Sequence, residues 1–276
     1  MKPIIAVPAT AALVYRAWSR KSLTPLGIAV AFITAVVHAL HPWSAPFALL
    51  VIFFIGGTTA TKVKHDIKAN LTLSSTGSTG GEGARTHVQV LANSVVASIL
   101  IAIQLSLTGF DLKCLPVGGT TLVLTAGIVA QYAAVAADTF SSELGILSKT
   151  KPRLITNFKT VPPGTNGGVT TAGLLAGALG AFTIAITSVL LVPFCTGNPG
   201  PVGRVLMSGE KRGWVFTDKI IWVIAVTLWG ALGSVLDSLL GATLQASVVD
   251  KRTGKVVEGI GGTKVRIPDL FSYFES

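Results

Sequence analysis

Apolar residues run through this sequence in long blocks, not in the short alternations of a sheet protein. A helix needs roughly 20 mostly apolar residues to cross about 30 Å of hydrocarbon. Six blocks come near or exceed that length: 26–41, 44–61, 88–108, 117–138, 168–194 and 219–246. A seventh stretch, 3–15, is shorter and broken by Pro8. Arg16, Arg20 and Lys21 follow it where a signal peptide would carry a small-residue cleavage site, so it reads as a membrane segment. The expected fold is an all-α polytopic membrane protein of six to seven transmembrane helices. Residues 1–246 make one helical membrane domain. Residues 247–276 are a polar tail, in which VVDKRTGKVV (248–257) predicts a β-hairpin turning near Thr253-Gly254. The spans are rich in small residues, as in TTAGLLAGALGAFTIAIT (170–187), which let helix backbones approach closely in lipid.

Composition narrows the class. Half of the 276 residues are hydrophobic and only 12% are charged, against about 25% in a soluble domain. Mean hydropathy is +0.67. Disorder, a disulfide-rich secreted scaffold and an ordinary cytosolic domain are all excluded. A net charge of +10 would suit nucleic acid, but its distribution argues otherwise. Alternate threading puts Arg16, Arg20, Lys21, Lys62, Lys64, Lys68, Arg85, Lys149, Lys151, Arg153, Lys159, Lys251, Arg252, Lys255, Lys264 and Arg266 on one side. The other side receives Lys2, Lys113, Arg204, Lys211, Arg212 and Lys219. The positive-inside rule places the first side in the cytosol. The partner is therefore the bilayer, with anionic headgroups and substrates as secondary beneficiaries, and no nucleic acid is expected. No Arg/Ser-rich transit segment is visible, so the endoplasmic reticulum or another endomembrane is the expected location.

The connections are uneven. Residues 62–87 contain the Gly/Ser/Thr-rich STGSTGGEGAR (75–85), 139–167 contain Pro152, Pro162 and Pro163, and 196–218 carry the turn cluster GNPGPVG (197–203). Asn70-Leu71-Thr72 is a glycosylation sequon that the threading keeps on the cytosolic side. Cys114 and Cys195 both fall at the opposite ends of spans. They pair in an oxidising lumen, or they are two small buried apolar residues.

Four polar groups enter the membrane near the same end. Asn93 and Ser94 lie near the start of the third span, and Asp138, Thr139, Ser141, Ser142 and Glu143 close the fourth. Gly164-Thr165-Asn166-Gly167-Gly168 opens the fifth, and Asp237, Ser238 and Gln245 sit late in the sixth. The second span ends there too, in GGTTATK (56–62). Chance would scatter these groups over both faces. Ionisable residues inside spans are costly and default to functional candidates.

Each group has a functional and a structural reading. Asp138 shares a helical face with Ser141 and Ser142, a set of oxygens suited to Mg²⁺; the alternative is a helix-end cap. Glu143 projects elsewhere, toward a second metal or a role as base. GTNGG before a helix start would let backbone N–H groups approach a phosphate, although it is no Walker A loop; a tight turn after Pro162-Pro163 explains it equally. Asp237 lies among apolar neighbours and is expensive unless paired or solvated; a structural hydrogen bond is the bland account. Lys62 and Lys64 either neutralise phosphate or only signal topology. His38 and His41 lie far from this cluster and read as structural, and His65 and His87 match no metal spacing. AADTFSSELG (136–145) and VLDSLLGATL (235–244) echo one another weakly, each with Asp followed by Ser or Thr.

NSVVAS (93–98), AADTFSSELG (136–145), GTNGGVTTAGLLAGALG (164–180) and GSVLDSLLGATLQ (233–245) are ordered and specific. Through them the chain resembles the transmembrane protein 19 family, also described as domain of unknown function 92. That family includes a plant phytyl-phosphate kinase of tocopherol synthesis. The resemblance implies a phosphotransferase that uses CTP and Mg²⁺ to convert an isoprenoid monophosphate to the diphosphate. Asp138 and Asp237 would then hold the metal, with Glu143 as a further catalytic group. Asn93, Ser141, Ser142, Gly164, Thr165, Asn166, Gly167, Gly168, Lys62 and Gln245 would bind nucleotide or substrate. Family members usually continue past the hairpin into an Asp-Asn-Asn stretch and a last span. This sequence instead runs PDLFSYFES (268–276), which reads as a shortened end. An ion-coupled transporter and a non-catalytic membrane protein are the rival readings. The DGxxAR…GxxxD…D pattern of CDP-alcohol phosphotransferases and the NDxxD of intramembrane prenyltransferases are both missing.

Overall fold

The computed structural model describes residues 3–74, 84–196, 213–250, 253 and 255–258. Most of STGSTGGEGAR, all of GNPGPVG, Gly254 of the hairpin turn and the end 268–276 lie outside the described residues. The described helices are α1 (Pro3–Ser19), α2 (Pro25–Leu40), α3 (Ala45–Lys62), α4 (His65–Ala69), α5 (His87–Thr108), α6 (Gly119–Gly145), α7 (Thr171–Leu191) and α8 (Phe216–Leu244). The strands are β1 (Thr72–Ser74), β2 (Arg153–Leu154), β3 (Gly168–Val169), β4 (Val248–Val249) and β5 (Val256–Glu258).

All seven apolar stretches are helical, but not all are equally long. Helices α3, α5, α6, α7 and α8 are long and apolar enough to cross a membrane. With 16 and 17 residues, α2 and α1 reach only about 24–26 Å, short of a full hydrocarbon core. Helix α1 also runs unbroken through Pro8, where a break was expected; in lipid, neighbouring groups satisfy what proline frees. Local chemistry starts several helices. Thr24 accepts from the Gly27 N–H ahead of Pro25, and Thr86 and Gln89 form a capping box on α5.

Helix α6 is the hub, packed against α3, α5, α7 and α8. Small residues set the spacing. A Cβ on Gly180 of α7 would lie 2.7 Å from the Ala136 carbonyl oxygen of α6, and one on Gly230 of α8 would lie 2.7 Å from that of Ala133. The core gathers Leu49, Phe53, Ile101, Ile128, Tyr132 and Ile184. Several polar groups at this depth bond to one another, the cheapest solution in lipid. His38 Nδ1 donates to the Thr34 carbonyl at 2.8 Å, which leaves Nε2 to accept from the Tyr132 hydroxyl at 2.6 Å. Thr34 and Ser94 hydroxyls meet at 3.3 Å. His41 Nδ1 accepts from the Trp43 N–H at 3.1 Å. The structural reading of both histidines stands: they tie α2 to its neighbours.

The end away from the basic loops is stapled. Cys114 and Cys195 form a disulfide, so the pairing reading replaces that of two free apolar cysteines. Leu115 and Pro193 bring the two segments together through a 2.7 Å backbone hydrogen bond. Phe194, Trp214 and Trp222 cluster edge to face beside them. An oxidising lumen is where such a bond persists. Made in a eukaryotic host, Cys114 and Cys195 should resist maleimide until reduced, and the exposed Asn70 should carry no glycan. Glycan on Asn70 would reverse the threading.

At the basic end, β4 and β5 form the antiparallel hairpin that the tail predicts, with Val248 opposite Val257. β1 adds to β5 in parallel, placing Thr72 opposite Val256, which nothing local in the sequence foretells. β2 and β3 pair antiparallel and clamp the 153–169 connection.

Candidate functional site

A cavity of about 590 Å³ opens at the basic end. Its position follows from helix ends. Asp138 lies seven residues before the end of α6, and Asp237 lies seven before the end of α8. The two helices pack side by side and both run toward this end, so the carboxylates sit at equal depth, about 10 Å below the helix ends. That depth excludes the helix-cap reading for Asp138. The weak sequence echo between the two segments thus corresponds to equivalent placement.

The cavity brings together Asn93, Asp138, Ser141, Ser142, Glu143, Gly164, Thr165, Asn166, Gly167, Gly168 and Asp237. These come from α5, α6, α8 and the connection before α7. Two expected members are not among its lining residues. Lys62 closes α3 and points to solvent. Gln245 is the residue after α8, and its Oε1 is buried with no hydrogen-bond partner among the described residues.

Glu143 has its oxygens committed. Lys68 Nζ meets one at 2.5 Å and also donates to the Ala60 carbonyl at 3.0 Å. The Thr61 hydroxyl donates to the other at 2.6 Å, and Thr61 accepts from the Arg85 guanidinium at 3.2 Å. The ion-pair side chains are only 10% and 9% exposed. This network fixes the cavity wall by tying α3, α4 and the start of α5 to α6. It gives Glu143 a positioning place rather than one pointed at a second metal.

The GTNGG segment also differs from expectation. Helix α7 begins at Thr171, capped by Thr170, so the glycines precede the helix by several residues. The Thr165, Asn166 and Gly168 amides are already bonded, to Pro162 O, Ser247 Oγ and Thr165 O. They are not presented as a phosphate cradle. The glycines are needed for approach: Gly167 has φ +73°, and a Cβ there would fall 2.3 Å from that of Ala242. Gly164 has φ +86° and backs onto Thr72 of β1. Asn166 donates from its side chain to the Ala246 carbonyl at 3.0 Å. The loop therefore locks the connection before α7 onto the end of α8 and the sheet.

Several cavity residues escaped the sequence reading. Lys68, Arg85, Lys149, Lys151 and His65 all line it. His65 stands beside Asp66 at 3.9 Å. Arg85 had a legible signal, since it directly precedes the Thr86–Gln89 capping box that opens α5. Its backbone bonds to Ser22 and Thr24 hold it against the α1–α2 connection. Lys68 had none, because only its tertiary partner distinguishes it from other loop lysines.

The donor set fits a hard divalent cation. Mg²⁺ binds through one or two carboxylates plus waters and phosphate oxygens, and Asp138 and Asp237 supply two carboxylates with Ser141 and Ser142 hydroxyls nearby. Among the described residues no group of three or more His, Cys, Asp or Glu gathers as a self-sufficient metal site. Such a cation would therefore depend on its phosphate ligand for the remaining positions.

Comparison with known proteins agrees with the architecture. The family profile described as "Integral membrane protein DUF92" matches residues 8–272. Protein PGR of Arabidopsis thaliana is 37% identical over 269 residues, covering 96% of this chain and 86% of its own length. The uncharacterized membrane protein MJ0933 of Methanocaldococcus jannaschii is 36% identical over 195 residues, 67% of this chain and 73% of its own. Protein VTE6, chloroplastic, of Arabidopsis thaliana is 32% identical over 171 residues, 61% of this chain and 47% of its own. No solved structure matches. With a profile spanning nearly the whole sequence and a bundle of membrane-length helices beneath it, this chain belongs to the integral membrane protein family DUF92.

Proposed function

We propose that the cavity is the site of an isoprenoid-monophosphate kinase that takes its phosphoryl group from a nucleoside triphosphate, CTP by the family resemblance, with Mg²⁺. The observation that carries this reading is the convergence of Asp138, Asp237 and Asn93 with Arg85, Lys149 and Lys151 in one cavity at the basic end of the bundle. Carboxylates alone would repel a phosphate, and cations alone would not need two aspartates set two turns below the helix ends. Both signs together suit a phosphate–metal complex. The cavity faces the cytosol, where nucleotides are available, and the membrane is the endoplasmic reticulum or another endomembrane.

The reaction asks little covalent chemistry of the protein. An oxygen of the substrate monophosphate attacks the γ-phosphorus, the bond to the bridging oxygen breaks, and the nucleoside diphosphate leaves. The second ionisation of a phosphate monoester lies near pH 6, so the attacking oxygen carries no proton at neutral pH. No general base is required, which agrees with Glu143 serving the cavity wall. Asp138 and Asp237 would hold the metal, whose charge offsets that building on the transferred group. Arg85, Lys149 and Lys151 neutralise the remaining phosphate oxygens, and Asn93 orients the acceptor. Positioning and charge stabilisation supply the catalysis.

An ion-coupled carrier is less well supported. It would need a titratable site near the midplane, whereas Asp138 and Asp237 lie toward one end of their helices and the buried His38 is bonded to Thr34 and Tyr132. Purified protein with Mg²⁺, CTP and farnesyl or phytyl phosphate should yield the isoprenyl diphosphate, and EDTA should return the rate to background. No diphosphate from any of the four nucleoside triphosphates would overturn the reading.

A further inference from the structure

A second, much smaller cavity of about 70 Å³ lies between α1, α2, α3 and α5. Leu13 and Val14 of α1, Ile28 and Ala31 of α2 and Phe53 and Phe54 of α3 are among the apolar side chains of its wall. Thr34 and Ser94 also touch it, but their hydroxyls are already bonded to each other. The other two polar side chains that line it are Arg85 and Asn93. These same two residues line the large polar cavity. An apolar slot and a much larger polar chamber therefore meet at one guanidinium and one amide.

We propose that this slot takes the first part of the hydrocarbon chain of a single-tailed lipid phosphate, with Arg85 and Asn93 holding the head at the junction. The assignment rests on the kinase reading for what happens to the head, but its own ground is the juxtaposition of the two cavities. Water gains nothing in a slot lined almost entirely by carbon, and apolar cavities of this kind fill with apolar ligands. Its small volume admits one chain and not two side by side. Arg85 lines both cavities with its guanidinium donating to Thr61 at 3.2 Å and its backbone pinned to Ser22 and Thr24, and its planar fork suits phosphate oxygens. Helix α1 packs on α2 and presents Ile4, Ile5 and Val7 outward. The chain beyond the first units passes alongside α1 into the bilayer. This gives α1, too short to span comfortably, a reason to be there.

Binding can be read without turnover, using radiolabelled farnesyl monophosphate and purified full-length protein in detergent. Wild type should prefer it to a five-carbon isoprenyl monophosphate and to farnesol, each by about 10-fold or more. Ala31→Phe fills the slot and should cut affinity for the fifteen-carbon phosphate about 10-fold while sparing the five-carbon phosphate and CTP. If that variant melts early, Leu13→Phe on the peripheral α1 makes the same test. Arg85→Ala should erase the preference for phosphate over alcohol. Unchanged farnesyl phosphate affinity in a folded slot-filling variant, or equal binding of diacyl phosphatidic acid, would overturn the slot. Should farnesyl phosphate bind in this pattern and no nucleotide convert it, the slot stands and the kinase reading falls. Should diphosphate form at an unchanged rate in the filled variant, the kinase stands and the slot falls.

Discussion

Asp138→Asn and Asp237→Asn should each lower nucleotide-dependent phosphorylation by at least about 100-fold, the usual cost of removing one preorganised electrostatic partner of a transition state. Asparagine keeps the shape of aspartate and removes only its charge. Both positions line the open cavity, Asp237 on an exposed face, so the bundle should melt at nearly the same temperature. The signature of a metal role is a raised Mg²⁺ requirement, with part of the lost rate returning as Mg²⁺ is increased. The equal depth of the two residues on α6 and α8 predicts similar losses from each. The double variant should lose little beyond the worse single one, because both would serve one ion. Full activity in either single variant would remove the metal assignment and with it the main argument for a kinase.

Lys68→Met should destabilise the folded protein by about 3–5 kcal/mol, since it strands Glu143 as an uncompensated buried charge. Glu143→Leu should do the same to Lys68. The pair replaced together, Lys68→Met with Glu143→Leu, should recover most of that loss, because desolvating two charges costs nearly what their attraction returns. Thermal melting in detergent measures all three as a double-mutant cycle. Additive losses would mean that the 2.5 Å contact contributes no coupling. The same double variant separates positioning from proton transfer. If the acceptor phosphate needs no base, activity survives wherever the fold does. A folded double variant with no turnover would restore Glu143 to the catalytic role that its place beside Asp138 in the sequence suggests.

Much of the architecture was legible along the chain because membrane insertion is a local test. Each span must satisfy its own backbone and carry its own apolar length, so the helices and the C-terminal hairpin could be read one at a time. The basic loops, counted by alternation, marked the end at which the large cavity opens. The motifs that carry the family resemblance likewise named Asn93, Asp138 and Asp237, which the fold gathers as expected. What the chain could not disclose was which residues find partners across it. Lys68 looks like any loop lysine until Glu143, 75 positions away, is beside it. The GTNGG glycines resemble an anion loop until Ala242 and Thr72 are seen to occupy the space a side chain would need. Cys114 and Cys195 stand 81 residues apart, and no local pattern says that they meet. Periodicity and hydropathy, being properties of a segment, were decided by sequence alone. Ion pairing, close approach and the meeting of a polar chamber with an apolar slot depend on distances between segments, and only tertiary packing set those.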